Sequence, residues 1–386
     1  MSKSKEDKMQ ESKKEAKPEM KVPYTNFKQQ YESIGKEILS AITPILANGD
    51  FVMGDAVKRF EEKFASYSQC KYVVGVANGT DALFLSMKAL GIGNGDEVIT
   101  PPNSFLATAA AIIATGATPV FADAREDYNI DPELIEKAIT KKTKAILPVH
   151  LTGRPADMDK IMEIAKKHKL FVIEDAAQAV GAEYKGKKVG SFGDACGFSL
   201  HPLKNLNIAG DGGLITTNSD ELFKKLTLLH NHGLKNRDEC ECWGFNSRLD
   251  SIHAAIAEVK LKYLDSWTGK IRKIAKTYAK ELKGVKGISY VPVDKPYEKA
   301  VYHTFIIQCD KRDELQQYLL KKGIGTKIHY PIPIHLQKSA ASLGYKEGDF
   351  PMTEKQAKRI LSLPIYPELT AEQISLVIKE IKGFYK

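Results

Sequence analysis

Three short stretches carry side chains whose types and spacing could do chemistry. The first is VGVANGTDAL, residues 74–83, where an apolar run passes through Asn78-Gly79-Thr80 into a helical pattern. Glycine lets a ligand approach the backbone, threonine offers a hydroxyl, and a helix start offers N–H groups that the helix itself leaves unpaired. Such a turn suits a phosphate, and it equally suits plain helix capping. The second is FVIEDAAQ, 171–178, where a strand pattern ends in Glu174-Asp175. An acid there either caps the next helix or is a carboxylate held to pair with a protonated ring nitrogen or a metal. No His or Cys stands nearby at ligand spacing, so the metal version is the poorer one. The third is GFSLHPLKNLNIAGDGGLITT, 197–217, with one lysine, Lys204, in an apolar and glycine-rich run and no acid after it until Asp211. Most lysines are solvated surface residues. A buried one binds its proton less tightly, and its free amine can then condense with an aldehyde.

Together the three stretches supply what pyridoxal 5′-phosphate requires: a phosphate cup, a carboxylate to keep the pyridine nitrogen protonated, and a lysine for an imine. The elements that would hold them follow from the pattern. Short apolar runs at 72–77, 97–102, 118–124, 144–150 and 170–177 alternate with helical stretches at 80–90, 105–115, 132–140 and 157–168. Buried, β-rich runs separated by helices predict a mostly parallel sheet covered on both faces, with ligands at the carboxyl ends of its strands. Helices are also expected over 24–46 and 55–67. After Asp250 a long helical stretch, 251–283, leads to VYHTFIIQ (301–308), a helix over 311–322, the proline-rich HYPIPIHL (329–336) and a last helix over 370–384. The expected organisation is a disordered tail over 1–21, a large α/β domain over 22–262 and a smaller C-terminal α/β domain over 263–386.

Length and composition agree with a globular protein of this size: 386 residues, 43% hydrophobic and 27% charged. The net charge of +9 raises nucleic acid or anionic lipid as partners. A nucleic-acid footprint should cluster with interleaved aromatics. Here seven lysines against five acids in the first 21 residues give part of the excess. The rest is scattered in pairs such as Lys166-Lys167 and Lys321-Lys322. The pattern reads as a solvated surface with no nucleic-acid partner, compatible with an anionic small molecule. No apolar run reaches the roughly 18 residues of a membrane helix. The N-terminus lacks the apolar core of a secretory signal and the Arg-rich, acid-poor character of a transit peptide. Five cysteines, odd and sparse, fit reduced thiols, and a cytoplasmic location is expected.

Several motifs in a fixed order make the chain resemble the DegT/DnrJ/EryC1/StrS family of sugar aminotransferases, which are fold-type-I enzymes dependent on pyridoxal phosphate. They are NGDFVMGDAVKRFEEKFA (48–65), ANGTDAL, PPNSFLATA (101–109), EDAAQA (174–179), the Ser-x-x-Pro-x-Lys-Asn-Leu block, GDGG, GFNSRLD (244–250) and YPIPIH. The resemblance implies that Lys204 is the Schiff-base lysine and proton shuttle and that Asp175 partners the pyridine nitrogen. It places Gln178 beside the phenolic oxygen, Phe105 on the ring face, and Gly79, Thr80 and Ser199 on the phosphate. Asn246 would reach the phosphate from a neighbouring subunit, which implies a homodimer with shared active sites. His201, Arg248, His329, Tyr330 and His335 fall where the family builds its substrate pocket, although each also suits packing or surface. The implied reaction moves an amino group from glutamate or glutamine to a keto sugar, expected to be nucleotide-linked, in amino-sugar and cell-surface glycan (lipopolysaccharide-type) biosynthesis. An oxidised octulosonate-type sugar acid or a keto cyclitol is the alternative acceptor.

A branch of the family carries His in the lysine slot and acts as a dehydratase, so Lys204 favours transamination. A dehydratase and a non-catalytic cofactor-binding regulator stay as other classes, the latter without any helix-turn-helix segment to support it. His230-x-His232 and Cys240-x-Cys242 do not have a standard zinc spacing, and no metal is expected.

Overall fold

The computed structural model of the chain describes residues 19–386, so residues 1–18 of the expected tail lie outside the described residues. Two helices lead, α1 (Phe27–Asn48) and α2 (Asp55–Ser68). The Asn26 side chain caps α1 by accepting the Gln29 N–H. The strands are short and rich in β-branched or apolar residues: β1 (Tyr72–Val76), β2 (Glu97–Thr100), β3 (Thr118–Phe121), β4 (Thr143–Ile146) and β5 (Phe171–Asp175). After them come β6 (Glu183–Tyr184), β7 (Lys187–Lys188), β8 (Ala195–Ser199) and β9 (Gly213–Thr217). Between them run α3 (Gly79–Ala89), α4 (Leu106–Ala114), α5 (Pro132–Ala138) and α6 (Met158–His168), and α7 (Asp220–Leu229) follows β9.

Seven strands form the main sheet in the order β1-β9-β8-β5-β4-β2-β3. The four pairings from β8 through to β3 are parallel, and β9 runs antiparallel between β1 and β8. β8 and β9 are buried along their whole lengths, as strands covered on both faces must be. The sheet is therefore mainly parallel, and six strands, β1 among them, present their carboxyl ends along one edge.

The helix expected over 251–283 is two helices, α8 (Ser251–Leu261) and α9 (Leu264–Leu282). At the junction the Lys262 and Tyr263 N–H groups donate to carbonyls three residues back, at Val259 and Lys260, which tightens the turn and redirects the chain. The reason is packing. Ala254, Ile256 and Ala257 of α8 belong to the core under the main sheet, while Ile271, Ile274 and Tyr278 of α9 belong to a separate core.

That second core lies under an antiparallel sheet of β10 (Ile288–Tyr290), β12 (Phe305–Cys309) and β13 (Ile360–Leu363), covered by α9, α10 (Arg312–Lys321) and α12 (Ala371–Phe384). A small ladder joins β6 and β7 to β11 (Glu298–Lys299). The sequence reading left 337–369 without elements, yet α11 (Pro351–Arg359) and β13 lie there. Long-range partners create both. Asp123 of the large domain accepts the Met352 and Thr353 N–H groups at 2.9 and 3.0 Å, capping α11 from outside its own segment. The N-terminal end of the described residues packs on the second core. Val22 is fully buried in the small-domain core and pairs with Ile324, and Lys21, within the expected tail, donates its N–H to Gly323. One apolar residue at the end of a charged stretch finds its cover on the small domain, so the chain enters there. Among the described residues no helix is long and apolar enough to cross a membrane.

Candidate active site

At the carboxyl edge of the main sheet, β5 ends in Asp175 and its neighbour β8 ends in Ser199, with Asp175 in register with Gly197. The chain leaves β8 through His201 and reaches Lys204 in the following turn, closed by the Lys204 N–H on the His201 carbonyl. Lys204 and Asp175 thus face one cavity of about 350 Å³. That cavity also takes in Gly79, Thr80, Phe105, Gln178, Ser199, His201, His329 and Tyr330, which the sequence singled out.

Each wall has a local cause. Asn78 caps α3 by accepting the Asp81 N–H at 2.8 Å, which leaves the first-turn N–H groups of Gly79 and Thr80 at the cavity. Gly79 cannot be another residue here: a Cβ would stand 2.7 Å from the Ser199 Cβ. A Cβ on Gly213 would sit 2.3 Å from the Asn78 carbonyl oxygen, so the GDGG turn is what allows β9 to pass behind the cup. Phe105 precedes α4 and stays half exposed at the opening, its ring 5.6 Å from that of Tyr330. The Gln178 side chain accepts the Thr152 N–H at 2.8 Å and donates to the Tyr330 hydroxyl at 3.4 Å.

Asp175 is buried. Its Oδ2 accepts the Thr108 hydroxyl at 2.8 Å and its Oδ1 accepts the Ala177 N–H at 3.1 Å. Burial raises its carboxyl above the usual range, opposed by those two hydrogen bonds and by Lys204. Burial likewise lowers the Lys204 amine below the usual lysine range, with Asp175 alone opposing it. The pair therefore combines a held carboxylate with an amine biased toward its neutral, nucleophilic form.

Glu174, which the strand pattern by itself did not separate from Asp175, points to the other side of the strand. It accepts N–H groups of Gly190, Phe192 and Gly193 and faces His150 Nε2 at 3.0 Å. His150 Nδ1 accepts the Ala156 N–H, so Nε2 carries the proton. Burial opposes the Glu174 charge, but His150 and the backbone donors outweigh it and hold its carboxyl below the usual range. A depressed carboxyl adds stability that is present above its unfolded pKa, about 4.3, and is lost as pH falls through the folded value. Glu174→Gln is expected to lower stability at neutral pH by about 2 kcal/mol, because the charged acceptor of the His150 and backbone N–H groups is replaced by a neutral amide. Urea titrations across pH should also show a shallower loss of stability below about pH 4 than in the parent. An unchanged acid slope would refute this role.

Two residues of the expected substrate set, His335 and Arg248, and the expected phosphate contact Asn246 do not line the cavity of their own chain. His335 is fully buried, bonded through Nε2 to Glu354 at 3.0 Å, with its ring against Phe350. The turn at 334–336 tucks it under α11, so it is a packing residue. Arg248 donates to the Asn231 side chain at 3.0 Å, and Asn246 is exposed beside Asn231; neither lines the cavity. His329 does line the cavity, with Nδ1 2.8 Å from the Ser362 hydroxyl. Burial and then Lys204 push its imidazole down to about 4, so it is neutral. Sequence reasoning missed His303 and Thr108. His303 sits in VYHTFIIQ and lines the cavity; burial, then Lys204, drive it well below its ordinary pKa. Thr108 lies inside the quoted motif PPNSFLATA, but only the fold shows that it holds Asp175. His230 is buried with Nδ1 near the Gly75 carbonyl, whereas Cys240 and Cys242 are exposed. Among the described residues no group of three or more His, Cys, Asp or Glu is placed to share a metal ion.

The residues present fit pyridoxal 5′-phosphate. Free helix N–H groups and the hydroxyls of Thr80 and Ser199 suit the phosphate, a close-packed cup bars any Cβ at residue 79, and Asp175 and Lys204 suit the ring nitrogen and the aldehyde carbon.

Comparison with known proteins agrees. Residues 32–382 match the DegT/DnrJ/EryC1/StrS aminotransferase family. The Pleiotropic regulatory protein of Geobacillus stearothermophilus is 47% identical, over 95% of this chain and 99% of the relative. The dTDP-3-amino-3,4,6-trideoxy-alpha-D-glucose transaminase of Streptomyces venezuelae is 43% identical, over 94% of this chain and 96% of the relative. The crystal structure of S. venezuelae DesV in complex with a ketimine intermediate aligns with a TM-score of 0.93 at 42% identity, over 96% of this chain and 99% of that one.

Proposed function

Because the chain belongs to the DegT/DnrJ/EryC1/StrS aminotransferase family, and is an aminotransferase with the fold-type-I architecture and pyridoxal phosphate as cofactor, we propose that it aminates a nucleotide-linked keto sugar. Glutamate or glutamine is the proposed donor. The observation that carries the catalytic part is the facing pair of Lys204 and Asp175 in one buried cavity. The sugar part is supported by the transaminase relative, whose named product is a dTDP-linked 3-amino sugar. The surplus of positive charge fits an acceptor that carries a diphosphate.

The bound cofactor supplies a carbonyl that takes the amine and a protonated ring that stores an electron pair. The protein residues do the rest. The N–H groups of Gly79 and Thr80 and the hydroxyl of Ser199 hold the phosphate, and Phe105 covers the ring face. Asp175, fixed by Thr108, keeps negative charge at the ring nitrogen. Lys204 Nζ removes a proton from the donor α-carbon, and in the second half-reaction delivers one to the sugar carbon that receives nitrogen. Tyr330, at the opening near Phe105, and His329, deeper in the wall, contact the sugar. His329 acts there as a neutral hydrogen-bonding group, because it does not charge above about pH 4.

The active unit proposed is a homodimer. Asn246 and Arg248, which do not line the cavity of their own chain, would complete the cavity of a second copy. Trp243 beside them is 93% exposed, and Phe51, Val52 and Met53 form another exposed apolar run. Large apolar groups left in water in this way mark association surfaces.

The test is a panel of acceptors. Holoenzyme reduced with L-glutamate is offered dTDP- and UDP-linked 3-keto and 4-keto hexoses, a keto cyclitol and an oxidised octulosonate, with products read by mass spectrometry. Amination of a nucleotide-linked sugar alone is expected. Turnover only of the cyclitol or the octulosonate would move the assignment to that class. A regulator reading draws on the Geobacillus relative, a Pleiotropic regulatory protein. It predicts that glutamate leaves the visible absorbance of the holoenzyme unchanged.

A further inference from the structure

A second cavity, of about 120 Å³, lies against the first. Lys204, His303 and His329 line both, so these side chains form the wall between the two spaces. The rest of the second cavity includes Tyr24, Asn205, Thr304, Tyr366 and Glu368. No step of the reaction as derived above uses it.

Its polar groups are unusual for a protein interior. Both polar atoms of the Asn205 carboxamide, the Thr304 hydroxyl and the Tyr366 hydroxyl are buried and find no hydrogen-bond partner among the described residues. Thr304 is 4% exposed and Tyr366 7%. Of the eleven such atoms among the described residues, these four line one small space. Buried polar groups in native proteins are paired almost without exception, with protein or with ordered water. A cluster of unpaired ones around a cavity therefore points to an occupant.

The occupant can be identified by size and chemistry. Organic ligands fill sites of roughly 300 Å³ or more, whereas a water molecule needs only about 10–15 Å³ of such space. The amide N–H of Asn205 needs an acceptor, its carbonyl needs a donor, and the two hydroxyls can use either. A bare anion or cation would satisfy one half of this set; water satisfies all of it. Glu368, partly exposed at the turn that bounds the cavity, offers a carboxylate toward solvent, and burial raises its carboxyl above the usual range.

We propose that this cavity binds a hydrogen-bonded water cluster that exchanges protons between Lys204 Nζ and solvent. The proposal rests on the reading of Lys204 as the proton carrier. Nζ takes a proton from the substrate carbon and becomes an ammonium group. It passes one N–H proton to a cavity water, and a solvent proton returns along the same chain. Charge and atoms balance, and only the identity of the proton delivered to the second carbon changes. Asn205, Thr304 and Tyr366 are positioning residues for the water.

Two measurements test this. A high-resolution crystal structure of the holoenzyme should show ordered waters within hydrogen-bond distance of Asn205, Thr304 and Tyr366. A dry cavity overturns the proposal, whatever the amino donor. Second, holoenzyme is incubated with L-glutamate and labelled 2-oxoglutarate in D₂O, and deuterium gained at the glutamate α-carbon is counted per amino exchange. The parent should approach one deuteron per exchange. The double variant Thr304→Val, Tyr366→Phe should fall several-fold below that, with a folded state confirmed by its circular dichroism. An unchanged ratio in the double variant overturns the conduit while leaving Lys204 intact as carrier. Amino exchange that survives in Lys204→Ala instead refutes the underlying reading.

Discussion

Lys204→Ala is expected to lower turnover by about 10⁴-fold or more, because one side chain carries both the covalent anchor and the proton transfer. Binding of the cofactor should weaken without vanishing, since the phosphate cup of Gly79, Thr80 and Ser199 and the carboxylate of Asp175 stay in place. The companion variant Lys204→Arg keeps a positive charge but no titratable amine, and it should be as inactive as alanine. Activity near the parent level in either variant would sink the assignment of Lys204. The pH profile adds a second readout. Burial lowers the free amine, so imine formation between the cofactor-free protein and added pyridoxal phosphate should proceed at pH well below the ordinary lysine value of about 10.4. Added small primary amines should restore part of the rate in the alanine variant and none in the arginine variant, where the space is filled.

Asp175→Asn should cost about 10²–10³-fold in kcat, the usual penalty for deleting one preorganised electrostatic group. The substitution keeps shape and removes the charge that sustains a proton on the ring nitrogen. KM for the donor should change little, which separates loss of chemistry from loss of binding. Thr108→Val provides the control. It removes the hydroxyl that fixes Asp175 Oδ2 while leaving the charge, so it should cost far less than Asp175→Asn. Equal losses in the two variants would mean that orientation and not charge is what Asp175 contributes.

Much of this site could be read before any coordinates. Lys204 stood out because it lacked a nearby acid in an apolar run, and Gly79-Thr80 because it joined a strand pattern to a helix. Both signals are local, and both come from residue types with few other uses at such places. Glu174 and Asp175 show the limit of such reading. Adjacent acids at a strand end point to opposite faces, and a sequence does not say which face holds the site. Only the pairing of β5 with β8 turns Asp175 toward Lys204 and Glu174 toward His150. His335 shows the converse. Its proline-rich segment resembled pocket lining, but Glu354, on a helix that sequence did not reveal, draws it into the core.

The sequence by itself determined the alternation of strands and helices, the close-packed glycines, and one lysine set apart in an apolar run. Those depend on patterns a few residues long, where backbone sterics and periodicity decide the outcome. The tertiary structure showed which carboxylate faces Lys204, a choice the sequence made only through the family resemblance, and it alone brought Thr108 and His303 to the cavity. It also placed Val22 on the small domain and made Lys204 a wall between two cavities. These depend on contacts between segments far apart in the chain, where burial and hydrogen-bond satisfaction choose among side chains that look alike in sequence.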